Sequence, residues 1–598
     1  PTSELIINGS RGSAGTLAFD PSANALGKIT MNRADGTVSL TNTLVVASSL
    51  NLNRGIIVTN NNLTLRNNVL VLRYDSGQLS GGSPNAAAGE RYHVEYRTFS
   101  PSSGPSRTYT TGDELPAATD ALGNLTIRLQ LSTDRVTLSK DIAVNGTMLL
   151  ERGSFSLASN YLTMNGPSWQ DNGGILVTGS AGAVIFNGTT NVNGSADPVF
   201  GNIQVAATGN VNFMKNLNVE GNVGFASGSN VNFNEKTVTF SGSNPQTVSA
   251  NGATFSNINI AKGSGQGITL VSQLNLSGIF QFSSPSSNVN VQSNGHLNLL
   301  STSDGGGAGT ARVYRLLNDN RISGDVTVNR FMSPEGRVWR YISSPVSNSS
   351  VAQLQDDFFV GGNFVDPSPK QEICGKTAAP KSTTIYYYDE AVPGGMEEGY
   401  VEYPRPGKTA AESPLHVGLG YSVFIRNCET PTVIDFAGPL NHGTLTLPVT
   451  YTANDPQGDG WNLVGNPYPS AIDWDAGGWT KTRISSQIAI RDYAADVFRY
   501  YEAGVTNEIQ GGQIAMGQAF WVRATGPNPV LRITENAKVT SVAEFFRESA
   551  PRIPNFMLAL SDGLREDYAY VKTVVEAKTS LDDFDAPKIM NQTISLST

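Results

Sequence analysis

The residues that could do chemistry are few and scattered. Four histidines occur in 598 residues, His93, His296, His416 and His442. None stands in the HExxH spacing that places two imidazoles on one helix face for zinc. GGGAG (305–309) lacks the lysine and the following helix that a phosphate-binding loop requires, and no GxSxG elbow or dinucleotide fingerprint can be read. Acids on the repeats, Asp134, Asp141, Glu151, Glu220 and Glu235, do not recur from copy to copy. Glycoside hydrolysis needs two carboxylates flanking one bond, and a lyase needs a base beside a charge that stabilises the enolate. The expectation is a chain without catalytic residues, metal ligands or a cofactor. Calcium is the one ion that its oxygen-rich loops could suit, at 454–460 (NDPQGDG), 473–475 (DWD) and 582–585 (DDFD). None of these is an EF-hand loop, and Asp and Asn are ordinary turn formers.

Aromatic side chains offer binding chemistry instead. A ring presents a flat apolar face and a polar edge, which suits a sugar as well as a core. The run Tyr386, Tyr387 and Tyr388 supplies the candidate ligand contacts, and strand alternation turns the middle ring away from its neighbours. Tyr500, Tyr501, Trp474 and Trp479 are weaker candidates, whereas Trp461, Phe520 and Trp521 are expected in a core.

The elements that must position these residues repeat. A unit of about 45 residues recurs at Leu26–Asn68, Leu122–Gly166, Phe200–Gly242 and Phe255–Ser301, opening on LGKITM, LGNLTI, FGNIQV and FSNINI. Apolar pairs two residues apart follow at matched offsets, as in Val38/Leu40, Val136/Leu138, Val211/Phe213 and Ile268/Leu270. Such a period is the signature of stacked units that bury a core only against their neighbours. Pairs at i, i+2 with corners about six residues on predict short strands of a parallel β-helix. No apolar pattern with helical period persists, so helices should be nearly absent. The longest interruption, near 74–121, holds RYHVEYRTF and predicts a hairpin leaving the stack as a lateral insertion. LIINGS (5–10) is read as a cap for the open end.

Composition agrees with an extended β protein. Charged residues make up 15% of the chain, Gly numbers 62, and the net charge is −9. That balance lacks the basic footprint a nucleic-acid partner needs. No apolar stretch is long enough to predict a transmembrane segment. Cys374 and Cys428 are either one disulfide or two buried thiols. Past SDGGGAGTAR (303–312) the solenoid rhythm stops, and aromatics, prolines and longer strands take over. The expected domains are a β-solenoid over 1–302, an antiparallel β-sandwich-like domain over 312–548, and the start of a further small β-domain over 552–598.

The second half carries longer phrases. GWNLVGNPYPSAIDWD (460–475), GRVWRYISSPV (336–346), IYYYDE (385–390), FAGPLNHG (436–443), GQAFWVRA (517–524) and FFR (545–547) together resemble a β-domain of large secreted Bacteroidetes proteins of the type IX secretion class. The segment 556–589 resembles the β-domain that precedes their C-terminal sorting domain, and FSGSNPQTVSANGATFSNINI (240–260) is similar to their β-helical parts. The resemblance implies export across the outer membrane to the cell surface or the medium. It implies little about activity, because adhesins, motility proteins and enzymes share these domains. The reading is therefore an all-β, non-enzymatic adhesin or structural stalk at the outer cell surface. Its partners would be the cell surface, extracellular glycans or further copies of itself in a homo-oligomer or filament. The alternative is the carbohydrate-binding, non-catalytic part of a secreted polysaccharide-acting protein.

Overall fold

Apolar residues two apart, separated by Asn, Thr or Ser, put one side chain inward and the next outward, and the chain folds accordingly. The computed structural model describes residues 2–99, 104–283, 285–303, 309–334, 336–453, 460–492, 497–541, 543, 545, 556–561 and 566–571. A parallel β-solenoid of about 13 turns occupies the N-terminal region, and antiparallel sheets follow. Two compact units divide the chain, Pro1–Leu274 and Asn275–Thr598.

In the first unit the strands of successive turns pair in parallel and in register. Ile29 lies beside Leu50, and Leu50 beside Val71; farther along, Met148 lies beside Trp169 and Val211 beside Val231. These partners are 20 or 21 residues apart, so each 45-residue unit contains two turns. Six of these seven side chains are 2% exposed or less, and Val231 is half-buried. Polar columns tie the corners together. Asn165 donates to Asn145, Asn187 donates to Asn165, and Thr208 donates to Asn187, at 3.0, 2.9 and 3.0 Å. The inner column is aromatic: Phe233 stacks on Phe213 and Phe255 with centroids 5.3 and 4.4 Å apart.

One expectation for this unit is corrected. The segment around RYHVEYRTF does not leave the stack, because Tyr92–Tyr96 is itself a turn strand between Leu70–Ser80 and Leu122–Arg128. Tyr92, Val94 and Tyr96 form its inward face at 0, 1 and 0% exposure. Tyrosines occupy positions held elsewhere by Leu and Val, and their hydroxyls are satisfied inside by Glu114. LIINGS lies in the first strand, which heads the sheet and covers the outer edge of Ala25–Leu40. Residues 5–10 pair one to one with 29–34 as an ordinary parallel strand.

The second unit opens with parallel pairs of its own. Ile279–Phe282 pairs with Arg312–Val313, Asn290–Gln292 with Arg321–Ser323, and Leu297–Leu299 with Asp325–Met332. Solenoid pairing thus continues past the boundary expected at 302. The other edge of Asp325–Met332 is taken by the antiparallel strand Thr432–Pro439 over eight residue pairs. An exposed strand edge is a template for association, and here it is covered. The helix Val351–Asp357 then covers the far edge of Thr432–Pro439 through its side chains. Gln353 donates to the Ala437 carbonyl at 2.9 Å, and the Asp435 N–H donates to Asp357 Oδ2 at 2.8 Å.

Beyond this junction the unit is sandwich-like. A four-stranded sheet, in the order Gly336–Ile342, Tyr421–Asn427, Ile385–Tyr388 and Tyr400–Glu402, lies against a five-stranded sheet that carries Trp461–Gly465 and Ala519–Ala524. Tyr341 and Tyr388 meet Trp461, Leu463, Ala489 and Trp521 between them. The opposite face of the five-stranded sheet packs a second core with Tyr468, Trp474 and Leu531. Cys374 and Cys428 form a disulfide with Cα atoms 5.8 Å apart. Most of the further domain expected over 552–598 lies outside the described residues. Within it, Phe556–Ser561 and Glu566–Val571 pair as an antiparallel hairpin.

Burial first, and then the nearby charges of Asp435 and Asp356, push the Asp357 carboxyl up to about 7. The folded chain holds this proton more tightly than the unfolded chain. Its stabilising contribution is complete below about pH 4 and is lost as pH rises through 7. Asp357→Asn keeps an oxygen for the Asp435 N–H and removes the charge. It is expected to raise stability at pH 8 by about 1 kcal/mol, after discounting for solvent screening of a half-buried group, with almost no gain at pH 4. Urea titrations at the two pH values check this.

Candidate aromatic binding face

The four-stranded sheet positions the candidate site. Antiparallel register sets Trp339 opposite Phe424, Tyr341 opposite Ser422, and Arg337 opposite Arg426. Ser422 also lies opposite Tyr386, and Tyr388 lies opposite Tyr400. Alternation puts these side chains on one face, which divides into two halves. One half is core: Tyr388 is 7% exposed and meets Trp521 edge-on at 4.7 Å, while Tyr341 meets the same indole at 6.1 Å. The other half is half-buried and runs Tyr386, Trp339, Phe424, with centroids 5.6 and 5.0 Å apart. A wall of rings therefore begins in the interior and continues outward.

The three tyrosines have three different fates. Tyr388 belongs to the core. Tyr387 points to the opposite face, where it lies edge-on to Tyr403 and receives a hydrogen bond from Arg405 at 2.5 Å. Only Tyr386 joins the outer half of the ring wall. The remaining aromatic candidates are structural. Trp474 is buried, Tyr500 and Tyr501 are nearly so, and Trp479 donates to the Asp473 carbonyl at 2.8 Å. Trp461, Phe520 and Trp521 lie in the cores.

Sequence reasoning missed Trp339, Phe424, Arg337 and Arg426 as parts of a site. The signal was available in R-x-W-x-Y (337–341) and S-x-F-x-R (422–426), two alternating strands whose aromatic and basic residues fall on the same parity. What could not be read was that these two strands are neighbours, since more than 80 residues separate them.

The acids behave differently from a catalytic pair. Asp134 is fully buried and accepts from the Arg107 and Leu131 amides at 2.8 and 3.0 Å, which fastens a corner. Asp141 accepts from the Tyr161 amide at 2.8 Å. Glu220 and Glu235 are exposed turn residues. One convergence does occur. Arg128 donates to Glu151 at 2.6 Å and to Glu95 at 3.3 Å, and Arg97 donates to Glu95 at 2.6 Å. Both carboxylates are thus held in ion pairs that link neighbouring turns.

Among the described residues no group of three or more His, Cys, Asp or Glu side chains is placed to hold a metal ion. In the DWD loop, Asp473 takes the Asp475 amide at 2.8 Å and Asp475 takes the Tyr501 hydroxyl, so both acids serve the turn. The other two oxygen-rich loops, 454–460 and 582–585, lie outside the described residues apart from Gly460. No described helix is long and apolar enough to cross a membrane.

These features define an all-β chain, a parallel β-solenoid followed by antiparallel sheets, with an aromatic and basic half-face on one of them. No family model matches it, and neither a curated protein nor a solved structure is detectably similar to it.

Proposed function

We propose that this chain is a non-enzymatic adhesin or structural stalk, carried to the outer cell surface by the type IX route of the Bacteroidetes proteins its second half resembles. The observation that carries the reading is the architecture. Stacked turns tied by Asn columns and an aromatic core make a scaffold, and the sandwich-like sheets of the second unit carry an aromatic and basic face. The Cys374–Cys428 disulfide supports an oxidising destination, because such bonds persist outside the cytosol. Weak contacts with a surface or with glycans gain strength when several copies act together.

The carbohydrate-binding reading is favoured by a separate observation, the half-buried ring wall of Tyr386, Trp339 and Phe424. Flat apolar rings at a surface are what a sugar face stacks on. The test of the main reading is antibody labelling of intact producing cells. Label on unbroken cells is expected, and label that appears only after lysis overturns the surface assignment.

A further inference from the structure

The ring wall ends in two arginines that have no counter-ion among the described residues. Arg337 and Arg426 stand directly opposite each other across the strand pair, where like charges oppose pairing. The Arg426 guanidinium lies 4.7 Å from the Phe424 centroid and 5.0 Å from that of Phe359, and Arg337 lies 5.7 Å from Phe424. Nε and Nη1 of Arg426 are buried and donate to nothing, and neither arginine forms an ion pair with a described residue. Burial and the neighbouring Arg337 both push the Arg426 pKa down. Cation–π contact offsets part of this cost, but a buried donor left unpaired remains unfavourable. A planar fork of donors is the shape that a carboxylate fits in two bonds.

We propose that this half-face binds an acidic oligosaccharide, a uronic-acid chain. Its carboxylate takes the exposed Arg337 guanidinium, with the charge of Arg426 beside it, and its sugar rings lie on Trp339 and Tyr386. A small inorganic anion would use the arginines and leave the rings idle. Glu402 stands opposite Tyr386 in the adjoining strand, so the ligand carboxylate belongs at the arginine end of the wall and a neutral part of the sugar at the Tyr386 end. The carboxylate of Glu402 takes the Thr383 hydroxyl at 2.7 Å. The proposal rests on the adhesive reading only for the source of the glycan.

Calorimetry of the full chain with oligogalacturonate and oligoguluronate tests it, with methyl-esterified oligogalacturonate, cello-oligosaccharide and polyglutamate as comparators. At least one of the uronates is expected to bind better than all three comparators. Arg337→Ala, Arg426→Gln and Trp339→Ala should each weaken that binding about tenfold or more, the worth of one charged or stacking contact. Without ligand, Arg337→Ala and Arg426→Gln should melt at or above the wild-type temperature, because each removes one of two facing like charges. That readout separates lost binding from lost folding. The proposal is overturned if neither uronate binds, if a comparator binds equally well, or if the arginine variants leave affinity unchanged. Cell-surface labelling is independent of these residues, so failure here and failure of the adhesive reading give different results.

Discussion

Glu114→Gln is expected to lower the opening free energy of the turn around Tyr92–Tyr96 by about 3–5 kcal/mol, the cost of breaking a buried ion pair from one side. Glu114 and Arg73 form a bridge with side chains 0 and 4% exposed. The same carboxylate oxygen takes the Tyr96 hydroxyl and the Gly112 amide, both at 2.7 Å. Arg73 is held by the carbonyls of Gly77 and Thr110 at 2.9 and 2.8 Å and lies over the rings of Tyr96 and Tyr109. It therefore has no route to solvent when its partner loses charge. The pair fastens the longest turn of this region, in which Val94 and its partner Leu125 are 31 residues apart. Hydrogen exchange of the 92–96 amides reads the change locally, which suits a stack that need not unfold as one unit. Unchanged protection would mean that the bridge is not what closes this turn. Replacing Arg73 by Met as well should recover part of the loss, since the unpaired charge then disappears.

Phe233→Ala should destabilise its part of the stack by about 3–5 kcal/mol, the range for removing a buried aromatic ring. Phe233 is 2% exposed and touches three rings: Phe213 at 5.3 Å, Phe255 at 4.4 Å and Phe225 at 6.4 Å. The cavity opens on both neighbouring turns at once, so the coupling between them is lost together with the ring itself. In a one-dimensional stack, stability is a sum of units and of nearest-neighbour contacts. Protection should therefore fall from about residue 210 to 260 and hold near residue 30. Uniform loss along the chain would contradict nearest-neighbour coupling. Phe233→Leu keeps most of the apolar volume and should cost less than half as much.

The solenoid was legible because burial repeats along it. Val211/Phe213 and Ile268/Leu270 are inward as the offsets said they would be, and no long-range pairing had to be guessed to see it. The segment 91–99 was misread because tyrosine at an inward position looks polar until Glu114, at least 18 residues away from Tyr96, is known to meet its hydroxyl. The boundary at 302 was drawn on glycine content, which does not tell whether parallel pairing goes on beyond it. Alternation put Tyr387 on the face opposite Tyr386 and Tyr388, as the structure does. Whether Tyr386 or Tyr388 faced outward depended on where the five-stranded sheet ends, and that is set by tertiary packing. The Arg337–Arg426 pairing was illegible for the same reason, since register between strands distant in sequence leaves no local trace.

As the non-enzymatic, glycan-binding surface protein proposed above, this chain would hold polysaccharide without cutting it. The direct measurement is retention of the full chain on an acidic polysaccharide matrix, followed by mass analysis of the recovered polysaccharide. Retained protein with polysaccharide of unchanged length is the predicted result. New reducing ends or unsaturated products, lost when Glu151 or Glu95 is replaced by Gln, would contradict it and make the Glu95–Arg128–Glu151 ladder an active site.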